Sequence, residues 1–315
     1  MDNDVSVQET ATDAASCKLS AVRLGYWEDA FASMFARPNR KMPIINRGYY
    51  ARVRSIEMLI HRFFEASAGT RRQVIVLGAG QDTMYFRLKS TRPEWLEDTL
   101  YVELDFPTVT QSKVRLCRRH KSLADLLGAV ETNETEMKSQ GYALFASDLR
   151  DLSTVKSKLV EKAAVDFTVP TLVLSECVLC YMDPSDSVPL LSWFRESFQD
   201  LSVVVYEQIR PNDAFGQTMV ENIHLRGCDL KSISTYPDVE DQRNRFLSIG
   251  FGHAECLDMN RIYYDFLDAA ERKIKERLEL FDEVEEFHML QEHYCLVVAS
   301  TLPTSPVALA LRLTK

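Results

Sequence analysis

The chain has 315 residues, of which 46% are hydrophobic and 26% are charged, so it is long enough for one large domain or two small ones. Its formal net charge of −9 argues against a broad nucleic-acid-binding surface, and no apolar run approaches the ~20 residues that cross a membrane. The seven cysteines follow no disulfide framework, which indicates reduced thiols in a cytoplasmic, or also nuclear, protein.

The N-terminal segment, residues 1–16, carries four acidic residues and no basic one, and is predicted to be a disordered tail. The clearest helix that follows runs from about Ile45 to Ala68, with apolar residues at helical spacing. Arg52 lies on the apolar stripe of this helix. Such a base either pairs with a buried acid or points into a pocket for a carboxylate or phosphate, and the helix alone favours the ion pair.

An unbroken apolar run, Val74 to Leu77, leads into Gly78-Ala79-Gly80 and then a segment that can begin a helix. This order is typical of a buried strand that ends in a tight turn, where backbone N–H groups and a helix N-terminus approach a ligand. Thr83 occupies the place of the third glycine of the dinucleotide fingerprint. The turn alone therefore leaves a nucleotide-type ligand and a plain α/β turn as equal alternatives.

Further strands are predicted at 100–105, 142–146, 171–175, 202–206, 251–258 and 293–300, with a polar surface insertion at 131–140. Four strands are followed or ended by an acid: Asp105, Asp148, Glu176 and Glu207. Because parallel strands bring their carboxyl ends to one edge, these acids predict a site that faces a cation or several hydroxyl and amino groups. The separation between Gly80 and Asp105 in the sequence is typical of an acid that binds a ribose, and this favours an adenosine-type ligand.

Other chemistries lack their motifs. The six histidines have no ligand spacing, and the single C-x-x-C of Cys177 and Cys180 is more typical of a packed strand end than of a metal site. There is no serine-nucleophile elbow and no phosphate-binding loop. A nicotinamide-dependent oxidoreductase stays an alternative, weakened by the missing third glycine and by the lack of a clear proton donor.

Eight segments between about Cys17 and Ala299 resemble the leucine carboxyl methyltransferases that esterify the C-terminal leucine of type 2A protein phosphatases: SCKLSAVRLGYW, INRGYYARV, LGAGQDTMYFRL, VELDFP, SDLRDL, SECVLCYM, YEQ with FGQTMVENI, and LFDEVEEFHMLQEHYCL. The resemblance implies an α/β class I S-adenosylmethionine-dependent methyltransferase (Rossmann-like) fold, with a seven-stranded, mostly parallel sheet and an N-terminal helical cap. It implies one domain over 17–300, made of the cap (17–70) and the core (71–300). Substrate-binding insertions are expected around 208–230 and 260–290, and a C-terminal tail at 301–315.

The resemblance also implies S-adenosyl-L-methionine as the cofactor and suggests which residues bind it. These are Lys18 and Arg52 at the methionine carboxylate, Glu176 near its amino group, Gly78 and Gly80 in the turn, Asp105 at the ribose, and Asp148 and Leu149 at the adenine. The substrate candidates are Tyr181, Tyr206 and Gln208. No metal is implied.

The implied acceptor is the α-carboxylate of the C-terminal leucine of the protein phosphatase 2A catalytic subunit, and the ester would regulate phosphatase assembly. A C-terminal carboxylate, with a pKa of about 3.5, is ionised at neutral pH, so in-line positioning without a catalytic base is expected. No acid is expected beside the transferred methyl group. Ala214 stands where this family often carries a base before Phe215, which bears on phosphatase docking.

Two other hypotheses for the function stay open. One is a related methyltransferase that modifies a tRNA base side chain, which the acidic balance disfavours; the other is an inactive phosphatase-binding protein, which the intact cofactor residues oppose. The protein is expected to be a monomer, with no nucleic acid or membrane as a partner.

Overall fold

In the computed structural model, which describes residues 3–314, nine strands form a single sheet. The strands are β1 (Arg72–Leu77), β2 (Thr99–Asp105), β3 (Glu131–Thr132), β4 (Met137–Ser139), β5 (Tyr142–Ala146), β6 (Thr171–Glu176), β7 (Leu201–Gln208), β8 (His253–Asp258) and β9 (Tyr294–Ser300). Their order is β3-β4-β5-β2-β1-β6-β7-β9-β8. The central strands β5, β2, β1, β6 and β7 are parallel, and β9 runs antiparallel to both β7 and β8.

The predicted α/β fold with a mostly parallel sheet is confirmed, but the predicted number of seven strands is too low. The additional strands β3 and β4 come from the segment that was expected to be a surface insertion. They form a hairpin that continues the sheet beyond β5, with Met137 buried and β3 exposed. Strands of two or three residues are too short to give an alternating apolar pattern, so the sequence did not indicate them.

Helices cover both faces of the sheet. They are α1 (Asn3–Arg23), α2 (Ala32–Phe35), α3 (Pro43–Ala66), α4 (Met84–Thr91), α5 (Pro93–Leu96), α6 (Pro107–Arg119), α7 (Lys121–Leu127), α8 (Leu152–Lys156), α9 (Pro184–Ser197), α10 (Ala214–Leu225), α11 (Val239–Ile249), α12 (Met259–Arg261), α13 (Ala269–Lys275), α14 (Val284–Glu292) and α15 (Pro306–Ala310). Two π-helical segments, Ser157–Ala163 and Ile262–Phe266, and a 3-10 turn, Leu179–Tyr181, connect them. None of the helices in residues 3–314 has the length and apolar character needed to span a bilayer.

The core is divided by the sheet into two apolar clusters. In β1, Val74 and Val76 join the cluster with α3 and α4, whereas Ile75 and Leu77 join the cluster with α9 and α11. Alternating side chains of a strand point to opposite faces, so a strand buried on both faces must be apolar throughout. This explains the unbroken apolar run before the glycine turn.

The prediction of a disordered tail at 1–16 is wrong for residues 3–16, which form most of α1; Met1 and Asp2 lie outside the described residues. The helix packs on α3 and buries Ala15 and Leu19. Its N-terminal half buries small and polar side chains rather than a stripe of large apolar ones, so its sequence resembles that of a disordered segment.

The C-terminal segment 301–315 is likewise not a simple tail. It contains α15, which packs on α3, and the side chains of Val307, Leu311 and Leu313 are buried. The predicted helical cap corresponds to the C-terminal part of α1 with α2 and α3. The boundaries of α3 differ from the predicted ones by two residues at each end.

Candidate functional site

A cavity of about 930 Å³ opens where the parallel strands end. Its walls come from α1, from the loops after β1, β2, β5 and β6, and from the facing ends of β7 and β9. Ten of the eleven residues predicted for the cofactor and substrate line it: Lys18, Arg52, Gly78, Gly80, Asp105, Asp148, Leu149, Glu176, Tyr181 and Gln208. The sheet edge therefore brings together residues that are far apart in the sequence.

The glycine turn requires its glycines for two reasons. Gly78 and Gly80 have φ angles of 64° and 54°, in the left-handed region that side chains disfavour. A Cβ atom on Gly78 would also lie 2.5 Å from the side chain of Val178. Any larger residue at Gly78 would therefore push the turn and the loop after β6 apart.

Asp105, at the end of β2, is fixed by the turn. Its carboxylate accepts the backbone N–H of Gly80 at 2.6 Å and that of Phe106 at 2.7 Å. Burial raises the pKa of Asp105 to about 6, although these two N–H donors act to lower it. A carboxylate has about four acceptor positions, so about two remain for the hydroxyl groups of a ribose.

Four charged side chains, each 13–19% exposed, form a partly buried network beside the turn. Lys18 Nζ lies 2.7 Å from Asp82 Oδ2 and 3.1 Å from Glu176 Oε1, and Arg52 Nε lies 2.5 Å from the same Glu176 oxygen. Burial alone would raise the pKa of Glu176, but the charges of Arg52 and Lys18 lower it below its usual range. The two cations and two anions match the ammonium and carboxylate groups of an amino acid. Arg52 thus pairs with an acid and also lines the cavity, so both interpretations of this residue made from the sequence apply.

Asp82 was missed in the sequence analysis. It follows Gly80 by two residues, its Oδ1 accepts the backbone N–H of Met84 at 2.7 Å, and its position beyond the glycine turn was the available signal. The charges of Lys18 and Arg87 lower its pKa against the opposing effect of burial. Asp82 therefore lines the cavity as an ionised carboxylate at neutral pH.

Tyr206 does not line the cavity in the described structure. Its ring lies behind the guanidinium of Arg52, at 5.0 Å, and stacks on Tyr294 with centroids 5.3 Å apart. Tyr294, the first residue of β9, lines the cavity next to its pairing partner Gln208. Tyr294 was not predicted from the carboxyl ends of the parallel strands, because β9 is antiparallel and reaches this edge with its N-terminal end.

Glu207 also differs from the expectation for an acid at the ligand edge. It is fully buried on the opposite face of β7, where its carboxylate lies 3.2 Å from Arg245 of α11. Because neighbouring residues of a strand point to opposite faces, Gln208 reaches the cavity and Glu207 does not.

Asp148 and Leu149 lie at the far end of the cavity, after β5. The Asp148 side chain is 36% exposed, and its carboxylate accepts hydrogen bonds from Arg150. The sheet order places the ends of β5, β2, β1, β6 and β7 side by side in that sequence. An extended ligand with adenine at β5 and ribose at β2 would therefore have its amino-acid end at β6, and an acceptor would lie over β7 and β9.

Lys113 of α6 supports the turn from inside the core. Its Nζ lies 2.6 Å from the Glu103 carboxylate and donates to the carbonyl of Asp82 at 2.8 Å. Lys113→Met is expected to lower the free energy of unfolding by about 3–5 kcal/mol, because Glu103 would lose its buried partner. Urea denaturation of this variant and of the double variant with Glu103→Gln measures the effect. We expect the double variant to recover most of the loss, and a single variant as stable as the native protein would contradict this role.

The donor set of the cavity fits S-adenosylmethionine, because it offers paired charges and the two further carboxylates of Asp105 and Asp148. Within residues 3–314, no group of three or more metal-ligating side chains is found.

Comparisons with known proteins address the family directly. The sequence model of the family described as leucine carboxyl methyltransferase matches residues 6–195. The leucine carboxyl methyltransferase 1 homolog of Arabidopsis thaliana is 40% identical over 301 residues, which cover 94% of this chain and 90% of that protein. Leucine carboxyl methyltransferase 1 of Rattus norvegicus is 37% identical, with 95% and 90% covered. The tRNA wybutosine-synthesizing protein 4 of Homo sapiens is 38% identical over 94% of this chain, which spans 44% of that protein.

Two solved structures show the same fold at low sequence identity. A DUF574 family protein from Streptomyces avermitilis aligns with a TM-score of 0.53 at 14% identity, over 92% of this chain and 97% of its own. A structure described as a putative methyltransferase from Thermobifida fusca aligns with a TM-score of 0.52 at 14% identity, over 90% and 93%. The family match confirms the predicted methyltransferase activity and its cofactor, S-adenosylmethionine, and the two solved structures share the fold. The chain belongs to the leucine carboxyl methyltransferase family.

Proposed function

We propose that this chain methylates the α-carboxylate of the C-terminal leucine of the protein phosphatase 2A catalytic subunit, forming a methyl ester that regulates phosphatase assembly. One observation in the cavity carries the proposal. Glu176 is ion-paired with Arg52 and Lys18, and burial raises the pKa of Tyr181 and of Cys177, so within residues 3–314 these side chains near the acceptor end offer no free base. A site without a base suits an acceptor that is already ionised, such as a carboxylate, better than a neutral hydroxyl or amine.

The cofactor end follows from the sheet order and the donor set. We propose that Lys18, Arg52 and Glu176 hold the amino-acid end, Asp105 holds the ribose, and Asp148 with Leu149 holds the adenine. When bound, S-adenosylmethionine supplies an electrophilic methyl group on a positively charged sulfur. The residues of the chain hold this group in place and exclude water from it.

The acceptor end lies over β7 and β9. Tyr181, Gln208 and Tyr294 line it, together with Ile223 of α10, which packs in the same apolar cluster as Tyr181. Burial raises the pKa of Tyr181 well above its usual value and the pKa of Cys177 to about 11. These groups stay protonated at neutral pH, and Glu176 is held by two cations, so we assign no catalytic base and leave positioning as the task of the site.

The rate of methyl transfer at saturating substrates is therefore expected to change by less than about twofold between pH 7 and 9, because an acceptor carboxylate stays ionised over this range. A hydroxyl or amine acceptor that needs a base would give a rise of up to about tenfold per pH unit below the pKa of that base. Initial rates with labelled cofactor at constant ionic strength measure the profile. A sloping profile would contradict the carboxylate acceptor.

A second candidate is carboxyl methylation of a modified tRNA base, which the similarity to tRNA wybutosine-synthesizing protein 4 favours. The net charge of −9 disfavours a tRNA acceptor. The test compares label transfer to purified phosphatase 2A catalytic subunit and to tRNA from cells that lack the corresponding methylation. Label in the phosphatase supports the proposal, and label in tRNA alone replaces it with the second candidate.

Ala214 is exposed at the first position of α10, directly after the N-terminal cap Asp213. We propose that the missing base affects how the phosphatase docks and leaves the chemistry unchanged, because Ala214 does not line the cavity. Comparing Ala214→Lys with the native chain on intact phosphatase and on a short C-terminal peptide separates docking from chemistry: a change confined to intact phosphatase supports this assignment.

A further inference from the structure

Arg150 holds two carboxylates at the adenine end of the cavity. It contacts Asp148 through Nε, 2.9 Å from Oδ1, and through a terminal nitrogen, 2.6 Å from Oδ2. Its two terminal nitrogens also contact Asp4 of α1, at 3.0 and 2.7 Å. Paired contacts of this kind use the planar shape of the guanidinium and fix both carboxylates in orientation.

Asp4 belongs to the half of α1 that closes the cavity. The helix lines the cavity from Asn3 to Lys18, and a Cβ atom on Gly80 would lie 3.4 Å from that of Ala11. At the same end of the helix, the Asn3 side chain accepts the backbone N–H of Asp229 at 2.9 Å. The start of α1 therefore bridges the cavity mouth, from the loop after β5 to the loop after α10.

We propose that Arg150 is a positioning residue that couples α1 to the cofactor: it orients Asp148 toward the adenine and fastens α1 over the occupied cavity. This inference rests on the proposed adenine site at Asp148. Oδ1 of Asp148 accepts both the backbone N–H and the Nε of Arg150, at 3.0 and 2.9 Å. The Nε–H is shared with Oδ2, at 3.1 Å, and a terminal nitrogen donates to Oδ2 at 2.6 Å. Three N–H groups of Arg150 thus use about three of the four acceptor positions of the carboxylate and leave one for a further donor, such as the adenine amino group.

The contact between Arg150 and Asp4 can be released without unfolding the core. Their side chains are 30% and 37% exposed, so solvent screens the pair and its opening costs little. The hydrogen bond from Arg150 lowers the pKa of Asp4, which is therefore ionised at neutral pH. The ion pair between Arg150 and Asp4 is therefore weak enough to break when cofactor and product exchange, so that the first half of α1 can move away from the cavity.

The test uses the full chain and the variants Asp4→Asn and Arg150→Ala. Hydrogen exchange of residues 3–15 is measured without ligand, and dissociation of S-adenosylhomocysteine is followed by stopped flow. Both variants should exchange these residues about fivefold faster than the native chain, the effect of losing one exposed ion pair. Asp4→Asn should also release the ligand about fivefold faster, and Arg150→Ala should release it faster still, because it also disturbs the contact of Asp148 with the adenine. The control is Arg243→Ala, which removes a comparable exposed pair with Glu240 on α11 and should change neither rate.

A second readout separates orientation of Asp148 from simple support. S-Inosylhomocysteine lacks the adenine amino group, so the native chain should bind it at least about tenfold more weakly than S-adenosylhomocysteine, the effect of one hydrogen bond to a charged group. Asp4→Asn should keep this preference and Arg150→Ala should lose most of it. Unchanged exchange and release in both variants, or an unchanged preference in Arg150→Ala, would overturn the inference. If the native chain binds neither ligand, the proposed cofactor site fails, and the ligand-free exchange still reports on the ion pair between Arg150 and Asp4.

Discussion

Arg52→Ala is expected to weaken S-adenosylmethionine binding by about 100-fold or more, because it removes charge-assisted hydrogen bonds to the methionine carboxylate in a buried site. The free energy of unfolding should fall much less, because Glu176 keeps Lys18 at 3.1 Å as its partner. Isothermal titration calorimetry and urea denaturation of the same preparation measure the two effects.

Arg54→Ala is the matched control for this variant. Arg54 lies on the same helix and forms ion pairs with Glu57 and Glu271, outside the cavity. Arg54→Ala should therefore lose stability and bind the cofactor like the native chain. Native cofactor affinity in Arg52→Ala would show that the network does not hold the methionine carboxylate.

Asp105→Asn is expected to reduce cofactor affinity by about 100-fold, because hydrogen bonds from two ribose hydroxyls to a buried carboxylate are lost. The native chain should also show a pH dependence. Since the pKa of Asp105 in the ligand-free protein is about 6, the carboxylate becomes protonated below that pH. Cofactor affinity should then fall by up to about tenfold per pH unit as the pH drops below 6.

The ionisation of Asp105 changes the stability of the ligand-free protein with pH in the opposite direction to cofactor affinity. The folded-state pKa of Asp105 lies above its usual 3.8, so the folded chain binds more protons than the unfolded chain between these values. Its contribution to stability is present at low pH and is lost as the pH rises from about 4 to about 6. The control is Asp200→Asn: burial also raises the pKa of Asp200, which lies outside the cavity beside Ser305. A pH profile of cofactor affinity that Asp105→Asn leaves intact would contradict the assignment.

The strand ends were predictable because their sequence signals are local. The apolar run of β1, its two glycines and the acid Asp105 after β2 follow from burial on both faces and from sheet geometry. The ion pair of Arg52 could be expected from its apolar helix face, but its partner Glu176 lies 124 residues away and only the fold brings them together.

Other parts of the site could not be predicted, because they depend on long-range contacts that leave no local sequence pattern. The first half of α1 is held by Arg150 and by the backbone of Asp229, and neither contact leaves a trace in the composition of residues 3–16. Tyr294 was missed because it reaches the cavity from an antiparallel strand. Glu207 was misplaced because one residue of register decides which face of β7 it occupies.

The most direct test of the central claim is a methyl-transfer assay with labelled S-adenosylmethionine and purified protein phosphatase 2A catalytic subunit, with and without its last leucine. The account predicts label on the intact subunit only, removed by mild base as expected for a methyl ester. Three results would contradict a C-terminal leucine carboxylate as the acceptor: label that resists base, label on both the intact and the shortened subunit, or bound cofactor without transfer to either form.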